Sequence, residues 1–376
     1  MYVKGVGMTR FDASDKPSIQ LAYEAVFEAL QDAKLTIKDM DAVVVSNMDL
    51  PTNGERQRHM ASILSSLFKT NIPIIRVPAA CAGGGAAFWF ANKLEEFDNL
   101  IVLGSEKLTS MNSQRITEEF MEGAENRWEQ PEGLNFPTQN ALVAQEYLKR
   151  YDATTDDLAL IAFKNHTNAY YNPKAKFYGK KVTLENIKNS PVVASPFRLM
   201  DCSISVDGAA AVVLSKDKTD IKVVGSGLYV DYLPTFERKD LCTWDGTLLS
   251  SKEAYMQAGL QPSDIDIVEV HDAFTIVELL AYEDLGFAKK GEGAKLIRDG
   301  TVNADGKLPV NVSGGLKAKG HPVSATGLAQ IYELVKQLRR ECGERQVKNY
   351  LKFGLAQNIG GAGSTITTSI LKKISG

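Results

Sequence analysis

The sequence has few cysteines and few histidines, four of each among 376 residues. No two cysteines form a Cys-x-x-Cys pair and their spacings are wide, so neither a disulfide framework nor a zinc site is expected. We therefore expect reduced thiols and no bound metal. If sulfur or imidazole carries chemistry in this protein, the candidates are Cys81, Cys202, Cys242, Cys342, His59, His166, His271 and His321.

Long apolar runs and an excess of one charge are also missing. No stretch of about 18 apolar residues occurs, and the first residues lack the pattern of a signal peptide, so we expect no membrane span and a cytoplasmic protein. The net charge of −3 argues against a nucleic-acid partner held by bulk positive charge. Hydrophobic residues make up 44 %, which excludes a disordered chain.

Hydrophobic patterns predict an α/β protein of two or three domains, or one large α/β unit. Short β-branched runs predict strands at 41–47, 72–77, 100–104, 207–214, 221–225, 267–270, 350–355 and 364–371. Helical spacing predicts helices within 9–33 and near 78–90, 250–258, 277–285 and 327–340. Residues 109–195 are more polar and predict a mostly helical insertion or lid.

An internal repeat links the two ends of the chain. Residues 28–46 align with residues 253–271 at a constant offset of 225, and eight positions match in place. Both copies show a helix end, a leucine, an Asp-x-Asp turn and a strand. Chance similarity is the alternative, but the pattern favours a duplicated α/β unit whose equivalent strand ends lie side by side.

Cys81 follows a predicted strand and stands at the predicted start of a helix, among alanines and glycines. A helix N-terminus carries roughly +0.5 charge and unpaired N–H groups, which stabilise a thiolate. The thiolate is the nucleophilic form of cysteine. The glycines at 83–85 indicate close approach of a backbone or a ligand. The alternative is a small apolar side chain in a tightly packed helix, which is common for free cysteine.

A glycine-rich loop at 313–327 contains His321 and leads into a predicted helix. Such a loop can surround a ligand with its backbone groups, and its lysines would then face an anionic group. The alternative is an ordinary flexible turn with the histidine as a cap. The expected ligand contacts in the loop are Gly314, Gly315, Lys317 and Lys319.

His271 ends a predicted strand, a position where open α/β sheets bind ligands. A His–Asp pair that closes the strand is an equally good interpretation. His59 and His166 lie in polar stretches, and we interpret them as solvated residues or local hydrogen bonders. A cysteine at a helix start together with two histidines at strand or loop ends is typical of a nucleophile with a base and oxyanion donors. The combination predicts acyl transfer through a thioester on Cys81.

Three motifs, spread in order along the chain, resemble those of the thiolase superfamily. Residues 78–85 (PAACAGGG) match the nucleophile segment, and residues 315–327 (GLKAKGHPVSATG) match the Gly-His-Pro loop. Residues 271–274 (HDAF) match the His-Asp-Cys-Phe motif of sterol-carrier-type thiolases. The subtype resembles the archaeal acetoacetyl-CoA thiolases.

This resemblance implies a thiolase fold of five layers, αβαβα, built from two duplicated βαβαβαββ halves with a loop domain inserted in the first. The N-terminal half would be residues 1–108 and 196–220, the loop domain 109–195 and the C-terminal half 221–376. The resemblance also implies a homodimer or homotetramer without a permanently bound cofactor. Its substrates would be acyl-CoA thioesters such as acetyl-CoA.

The resemblance also implies the role of each candidate. Cys81 would accept the acetyl group, and His321 would take the thiol proton. His271 would hold the thioester oxygen of the incoming acetyl-CoA as an oxyanion donor. The backbone N–H groups of Cys81 and Gly360 would form a second oxyanion hole, because residues 358–363 (NIGGAG) resemble the Cys-x-Gly segment.

The chain departs from the family at both places where a second catalytic cysteine would stand. Asn358 occupies the Cys-x-Gly position, where we expect a substrate contact, and Ala273 occupies the position in the His-Asp-Cys-Phe motif. Either another group takes the substrate α-proton, or the protein is a weak or altered thiolase. His321 and then His271 are the nearest candidates, and Cys202 is a more distant one.

The leading hypothesis is acetyl-CoA C-acetyltransferase activity, which condenses two acetyl-CoA into acetoacetyl-CoA and CoA or runs in reverse, with a place in the mevalonate pathway. One alternative is a thiolase-like retro-aldol lyase on CoA thioesters, although some such proteins lack the nucleophilic cysteine. Another is a non-catalytic acyl-CoA-binding subunit. Archaeal relatives assemble with hydroxymethylglutaryl-CoA synthase and a zinc-ribbon scaffold protein, so these are the expected protein partners, with neither nucleic acid nor membrane.

Overall fold

Strands and helices alternate along the chain in a computed structural model that describes residues 1–48, 55, 57–110 and 112–374. The strands are β1 Tyr2–Met8, β2 Ala42–Ser46, β3 Ile74–Arg76, β4 Asn99–Glu106, β5 Val192–Ala194, β6 Phe197–Arg198, β7 Gly208–Ser215, β8 Ile221–Val230, β9 Ile267–Glu269, β10 Phe353–Gly360 and β11 Thr365–Lys373. The helices are α1 Ser18–Ala33, α2 Met60–Phe68, α3 Gly83–Ala91, α4 Ser113–Met121, α5 Phe136–Arg150, α6 Thr155–Tyr170, α7 Leu184–Lys188, α8 Asp245–Ala258, α9 Thr275–Asp284, α10 Gly293–Arg298 and α11 Thr326–Arg339.

Nine strands form one sheet made of two half-sheets, in the order β3-β2-β4-β7-β1-β8-β11-β10-β9. The halves join where β1 pairs with β8 through Tyr2 and Val3. Outward from this junction each half has two antiparallel pairings followed by parallel ones. In the second half the outermost parallel pairing is a single bridge between Val268 and Val310. The two halves therefore share one topology.

The same helix–turn–strand unit occurs in both halves at the predicted offset. α1 ends at a left-handed Lys34 and α8 at a left-handed Gly259, and each is followed by a 3-10 turn closed by a capping box. Asp41 then accepts two backbone N–H bonds at the start of β4, and Asp266 accepts the equivalent two at the start of β10. The duplicated α/β unit is confirmed.

Paired glycines repeat the close packing of helix on strand. A Cβ at Gly5 or Gly7 of β1 would lie 2.2 or 2.1 Å from a carbonyl oxygen of α1. A Cβ at Gly225 or Gly227 of β8 would lie 2.2 or 2.3 Å from a carbonyl oxygen of α8. Only glycine permits this approach of two backbones. The duplication thus extends from topology to packing.

Three apolar cores lie between five layers, and the central core faces both half-sheets. One core lies between α1, α2 and the first half-sheet, and another between the second half-sheet and α8, α9. The central core contains α3 and α11, each of which contacts strands of both halves. This αβαβα arrangement confirms the predicted fold, and it brings the start of α3 beside the loop that precedes α11.

The segment between β4 and β7 contains α4 to α7 and the β5–β6 ribbon, which confirms a mostly helical insertion; the domain bounds stay predictions. The sequence analysis did not predict β1 or α2, because glycines interrupt the apolar pattern of the one and polar residues surround the other. It also began β10 three residues early, at Tyr350, which is exposed. Among the described residues, no helix is long and apolar enough to cross a membrane.

Candidate active site

Cys81 lies in a tight turn between β3 and α3. The turn is the 3-10 helix Ala80–Ala82, and Ala80 has a φ of 47°. This left-handed conformation costs a non-glycine residue about 1–2 kcal/mol, and such residues cluster at functional sites. A Cβ at Gly84 would lie 3.0 Å from the backbone nitrogen of Gly327, so the glycines permit α3 and α11 to cross closely. The turn leaves Cys81 only 6 % exposed.

Burial keeps the Cys81 thiol protonated. It raises the pKa of Cys81 to about 12, even though the N–H groups of Gly361 and of Cys81 itself point at the sulfur and favour the thiolate. The nearby Glu106 carboxyl raises the pKa further. The expectation that a helix start would stabilise the thiolate is therefore outweighed by burial, and a nucleophilic Cys81 needs a base.

His321 lies within the glycine-rich loop and is held from two sides. Its backbone N–H donates to the carbonyl of Ile204 at 2.9 Å, and its Nδ1 lies 2.7 Å from the hydroxyl of Thr326. Burial, followed by the charge of Lys319, lowers the pKa of His321 to about 3. The ring is neutral at physiological pH and can accept a proton at Nε2 when Nδ1 donates to Thr326.

His271 lies beside His321 at the end of β9. The two rings meet edge to face with centroids 5.3 Å apart. Burial and the neighbouring His321 lower the pKa of His271 well below its ordinary value. Its Nδ1 lies 3.1 Å from the side-chain nitrogen of Asn358. The structure thus brings together Cys81, His271 and His321 from three distant parts of the chain.

These three residues line one cavity of about 760 Å³. This volume lies within the range of about 300–1,000 Å³ typical of small-molecule sites. The other walls are largely apolar and come from the helical insertion and from the second half. Large apolar side chains in the walls are Ile116, Phe120, Phe136, Leu199, Met200, Trp244, Phe274 and Val277. A ligand that is mostly apolar and carries a few reactive polar atoms fits this cavity.

The glycine-rich loop surrounds a carboxylate of the protein. Leu316 and Lys317 donate their backbone N–H groups to Asp272, at 2.6 and 3.3 Å. Gly314 has a φ of 103° and Gly315 of 60°, and neither borders the cavity among its described residues. The backbone N–H groups that we expected to contact a ligand thus donate to Asp272, because that buried carboxylate needs hydrogen-bond donors.

Lys317 and Lys319 are each 1 % exposed and have partners inside the protein. Lys317 donates to the backbone carbonyl of Asp201, and it borders the cavity. Lys319 donates to the hydroxyl of Ser313 at 2.9 Å and lies 3.7 Å from Glu269. The expected pair of lysines facing an anionic ligand is not what the structure shows, since a buried ammonium must be paired.

A Gly315→Ala substitution is expected to lower the free energy of unfolding by about 3 kcal/mol. The added Cβ would lie 2.3 Å from the Asp272 carboxylate, in a backbone conformation that L residues rarely adopt. Urea unfolding measures the loss. Gly179→Ala is the matched control, because Gly179 has a φ of 69° but nothing within 4 Å of the new Cβ. Equal losses in the two variants would contradict the role of the Asp272 contact.

Comparisons with known proteins now identify the family. A family model described as "Thiolase, N-terminal domain" matches residues 2–218, and one described as "Thiolase C-terminal domain-like" matches residues 227–373. The chain belongs to the thiolase family. The acetyl-CoA acetyltransferase of Methanothermobacter thermautotrophicus is 40 % identical over 99 % of both chains.

Two further similarities extend the comparison. The benzoylsuccinyl-CoA thiolase subunit BbsB of Thauera aromatica is 36 % identical over 96 % of this thiolase and 94 % of the relative. The solved structure of the Ltp2-ChsH2(DUF35) aldolase matches with a TM-score of 0.83 and 26 % identity, over 99 % of this thiolase and 97 % of that chain. Proteins with different names therefore share this fold.

The residue that this thiolase carries in the Cys-x-Gly position lies behind the reactive groups. Asn358 is 2 % exposed and contacts Cys81, Gly85 and His271, and it is not among the described residues that border the cavity. Asn358 therefore supports the reactive residues from behind, and the expected contact between Asn358 and the substrate is not seen. In the same segment the N–H of Gly361 points at the sulfur, and the role of Gly360 in an oxyanion hole stays a prediction.

The sequence analysis missed His166, which it interpreted as solvated or locally bonded. The residue is 2 % exposed, borders the cavity and meets Phe177 edge to face at 4.5 Å. Burial, followed by the charge of Lys317, lowers the pKa of His166 to about 3. Its spacing from the buried Ala162 and Ala169 on α6 is a helical-face signal that could have found it. His59 is exposed, as expected.

Proposed function

We propose that the protein is an acetyl-CoA C-acetyltransferase, an acetoacetyl-CoA thiolase, acting through an acetyl thioester on Cys81. The single observation that carries the proposal is the meeting of Cys81, His271 and His321 in one largely apolar cavity. The full-length similarity to an acetyl-CoA acetyltransferase supports the choice of substrate. CoA is substrate and product here, and its pantetheine arm would occupy the remaining cavity.

In the first half-reaction His321 takes the thiol proton as the Cys81 sulfur attacks the thioester carbon of acetyl-CoA. Because both groups are neutral at rest, the proton moves together with formation of the carbon–sulfur bond. The backbone N–H groups of Cys81 and Gly360 would stabilise the oxyanion, while the N–H of Gly361 favours the negative charge that develops on the sulfur. The departing CoA thiolate receives the proton from His321.

In the second half-reaction another acetyl-CoA binds, and a base removes a proton from its methyl group. The resulting enolate carbon attacks the acetyl carbonyl on Cys81, which releases acetoacetyl-CoA and restores the cysteine. His271 would hold the enolate oxygen, a role supported by its position on the same cavity beside His321. Thiolysis is the same sequence in reverse.

The similarity to the aldolase structure supports a second candidate, a retro-aldol lyase on CoA thioesters. Such a lyase needs a base and an oxyanion donor, which the two histidines could provide, but it has no need of Cys81.

The relative named as a thiolase subunit supports an assembly with other proteins. The expected partners, hydroxymethylglutaryl-CoA synthase and a zinc-ribbon scaffold, and a cytoplasmic role in the mevalonate pathway are part of this proposal and rest on the resemblance of the sequence motifs. Among the described residues β3 is the edge strand of the sheet, a position at which a second copy could dock, and this supports a homodimer.

Incubation with acetyl-CoA is expected to add one acetyl group to the peptide that contains Cys81, because this sulfur shares the cavity with His321 and has backbone N–H groups directed at it. Peptide mass spectrometry locates the adduct, and CoA-dependent cleavage of acetoacetyl-CoA measures turnover. An adduct on another residue would contradict the mechanism. Release of an aldehyde or ketone from a β-hydroxyacyl-CoA would favour the lyase, and binding without any turnover would favour the non-catalytic subunit.

A further inference from the structure

The side-chain amide of Asn358 has one orientation only. Its Oδ1 accepts the backbone N–H of Gly85 at 3.0 Å, and a backbone N–H can only donate. Its Nδ2 donates to the carbonyl of Cys81 at 3.0 Å, and a carbonyl can only accept. Both contacts require the same assignment of nitrogen and oxygen. The second hydrogen of Nδ2 therefore points at Nδ1 of His271, 3.1 Å away.

This orientation determines the tautomer of His271. Because Nδ1 accepts from Asn358, the single proton of the neutral ring is on Nε2. His271 borders the cavity, so Nε2–H is the donor that it offers to a ligand there. The ring can accept a proton at neither nitrogen unless the bond to Asn358 breaks. The ring also meets the His321 ring edge to face, and the carboxylate of the next residue, Asp272, already accepts from the loop.

His321 differs from His271 in this respect. Its Nδ1 lies beside the hydroxyl of Thr326, which can accept a hydrogen bond. With the proton on Nδ1, the Nε2 of His321 is a proton acceptor in the cavity. Asn358 thus fixes His271 as a donor, while Thr326 permits the complementary state of His321, an acceptor at Nε2.

We propose that Asn358 is a positioning residue that holds His271 as a hydrogen-bond donor, and that His321 consequently performs both proton transfers of the reaction. The proposal rests on the proposed function. His321 first moves the thiol proton of Cys81 to the departing CoA. With the CoA gone, its Nε2 is again free, and it takes the α-proton of the second acetyl-CoA while His271 holds the enolate oxygen.

Every proton removed in this scheme is also returned. The enolate carbon forms the new carbon–carbon bond as the carbon–sulfur bond to Cys81 breaks. His321 then passes the α-proton to the Cys81 thiolate, which restores the thiol. One base therefore serves both steps in turn. A second cysteine is not required, which is consistent with asparagine at 358 and alanine at 273.

Histidine-labelled protein tests the tautomer directly by 15N NMR, since the chain has only four histidines. In the wild type we expect the His271 Nε2 to be protonated and its Nδ1 to be unprotonated. Asn358→Asp keeps an acceptor for Gly85 but has no N–H, so the His271 proton should move to Nδ1. A wild-type His271 protonated on Nδ1 overturns the proposal, whether or not the variant folds.

Kinetics separate this role from a merely structural one. Asn358→Asp is expected to slow exchange of the acetyl-CoA methyl protons with deuterated solvent by about 10²–10³-fold, as for loss of an oxyanion donor. Acetylation of Cys81 should fall much less. Unchanged exchange in this variant overturns the proposal, and so does loss of exchange in Cys202→Ala, which would assign the α-proton to that cavity-lining thiol. If the wild type is not acetylated at Cys81, the proposed function is overturned, and so is the double role of His321. The NMR result decides the role of Asn358 independently of that outcome.

Discussion

Replacing Cys81 with alanine is expected to lower the rate of acetyl transfer by roughly 10⁵-fold or more and to abolish the acetyl adduct. In the proposed mechanism every turnover passes through the thioester on this sulfur, so the variant retains only binding and oxyanion stabilisation. Steady-state thiolysis of acetoacetyl-CoA and mass spectrometry of the digested protein measure the two effects.

The fold should survive this change. The thiol packs in a small cluster with Leu108 and Val323, and its truncation is expected to cost about 1 kcal/mol of unfolding free energy. Cys242→Ala is the matched control, because Cys242 is buried in the core of the second half, away from the cavity. The control should keep the wild-type rate. An adduct or a near-normal rate in the Cys81 variant would exclude the thioester mechanism.

Replacing His321 with glutamine is expected to slow acetylation of Cys81 by about 10³-fold at pH 7, the range usual for loss of a general base. The reason is the raised pKa of Cys81, about 12, which leaves almost no thiolate at neutral pH. Without the base, only the thiolate present at equilibrium reacts. Rapid-quench measurement of the acetyl adduct reports this step alone.

The pH dependence of Cys81 acetylation should differ between the wild type and His321→Gln. The pKa of His321, about 3, means that the wild-type base is deprotonated at all higher pH, so its acetylation rate should be nearly flat from about pH 5 to 8. In His321→Gln the thiolate fraction grows tenfold per pH unit up to a pKa of about 12, and the rate should rise with it. The exposed His59→Gln should behave as the wild type. A flat profile in the His321 variant would show that another group is the base.

Much of the fold could be predicted because its signals are local. Buried strands such as β2, β4 and β7 are continuous apolar runs, and the repeat at offset 225 keeps its turn and cap residues in place. β1 escaped prediction although it joins the two half-sheets. Its Gly5 and Gly7 weaken the strand pattern, and they are there because α1 lies directly on them.

The candidate site was predictable in its reactive groups and not in its supporting ones. Cys81, His271 and His321 lie in short motifs whose residue types suit the chemistry. The loop lysines and glycines also suited a ligand, yet the buried Asp272 and Glu269 take their donors and charge. No local sequence pattern reveals whether the donors of a loop will bind a ligand or a buried carboxylate of the protein itself.

The sequence by itself determined the family, the duplicated halves and the three side chains that carry the proposed reaction, since each of these follows from a short local motif whose residues lie close together in the chain. Only the tertiary structure decided their protonation states, because burial makes Cys81 a neutral thiol and both site histidines neutral rings. Only the tertiary structure could orient Asn358 as well, since the amide contacts Gly85, 273 residues away in the chain, and His271, 87 residues away.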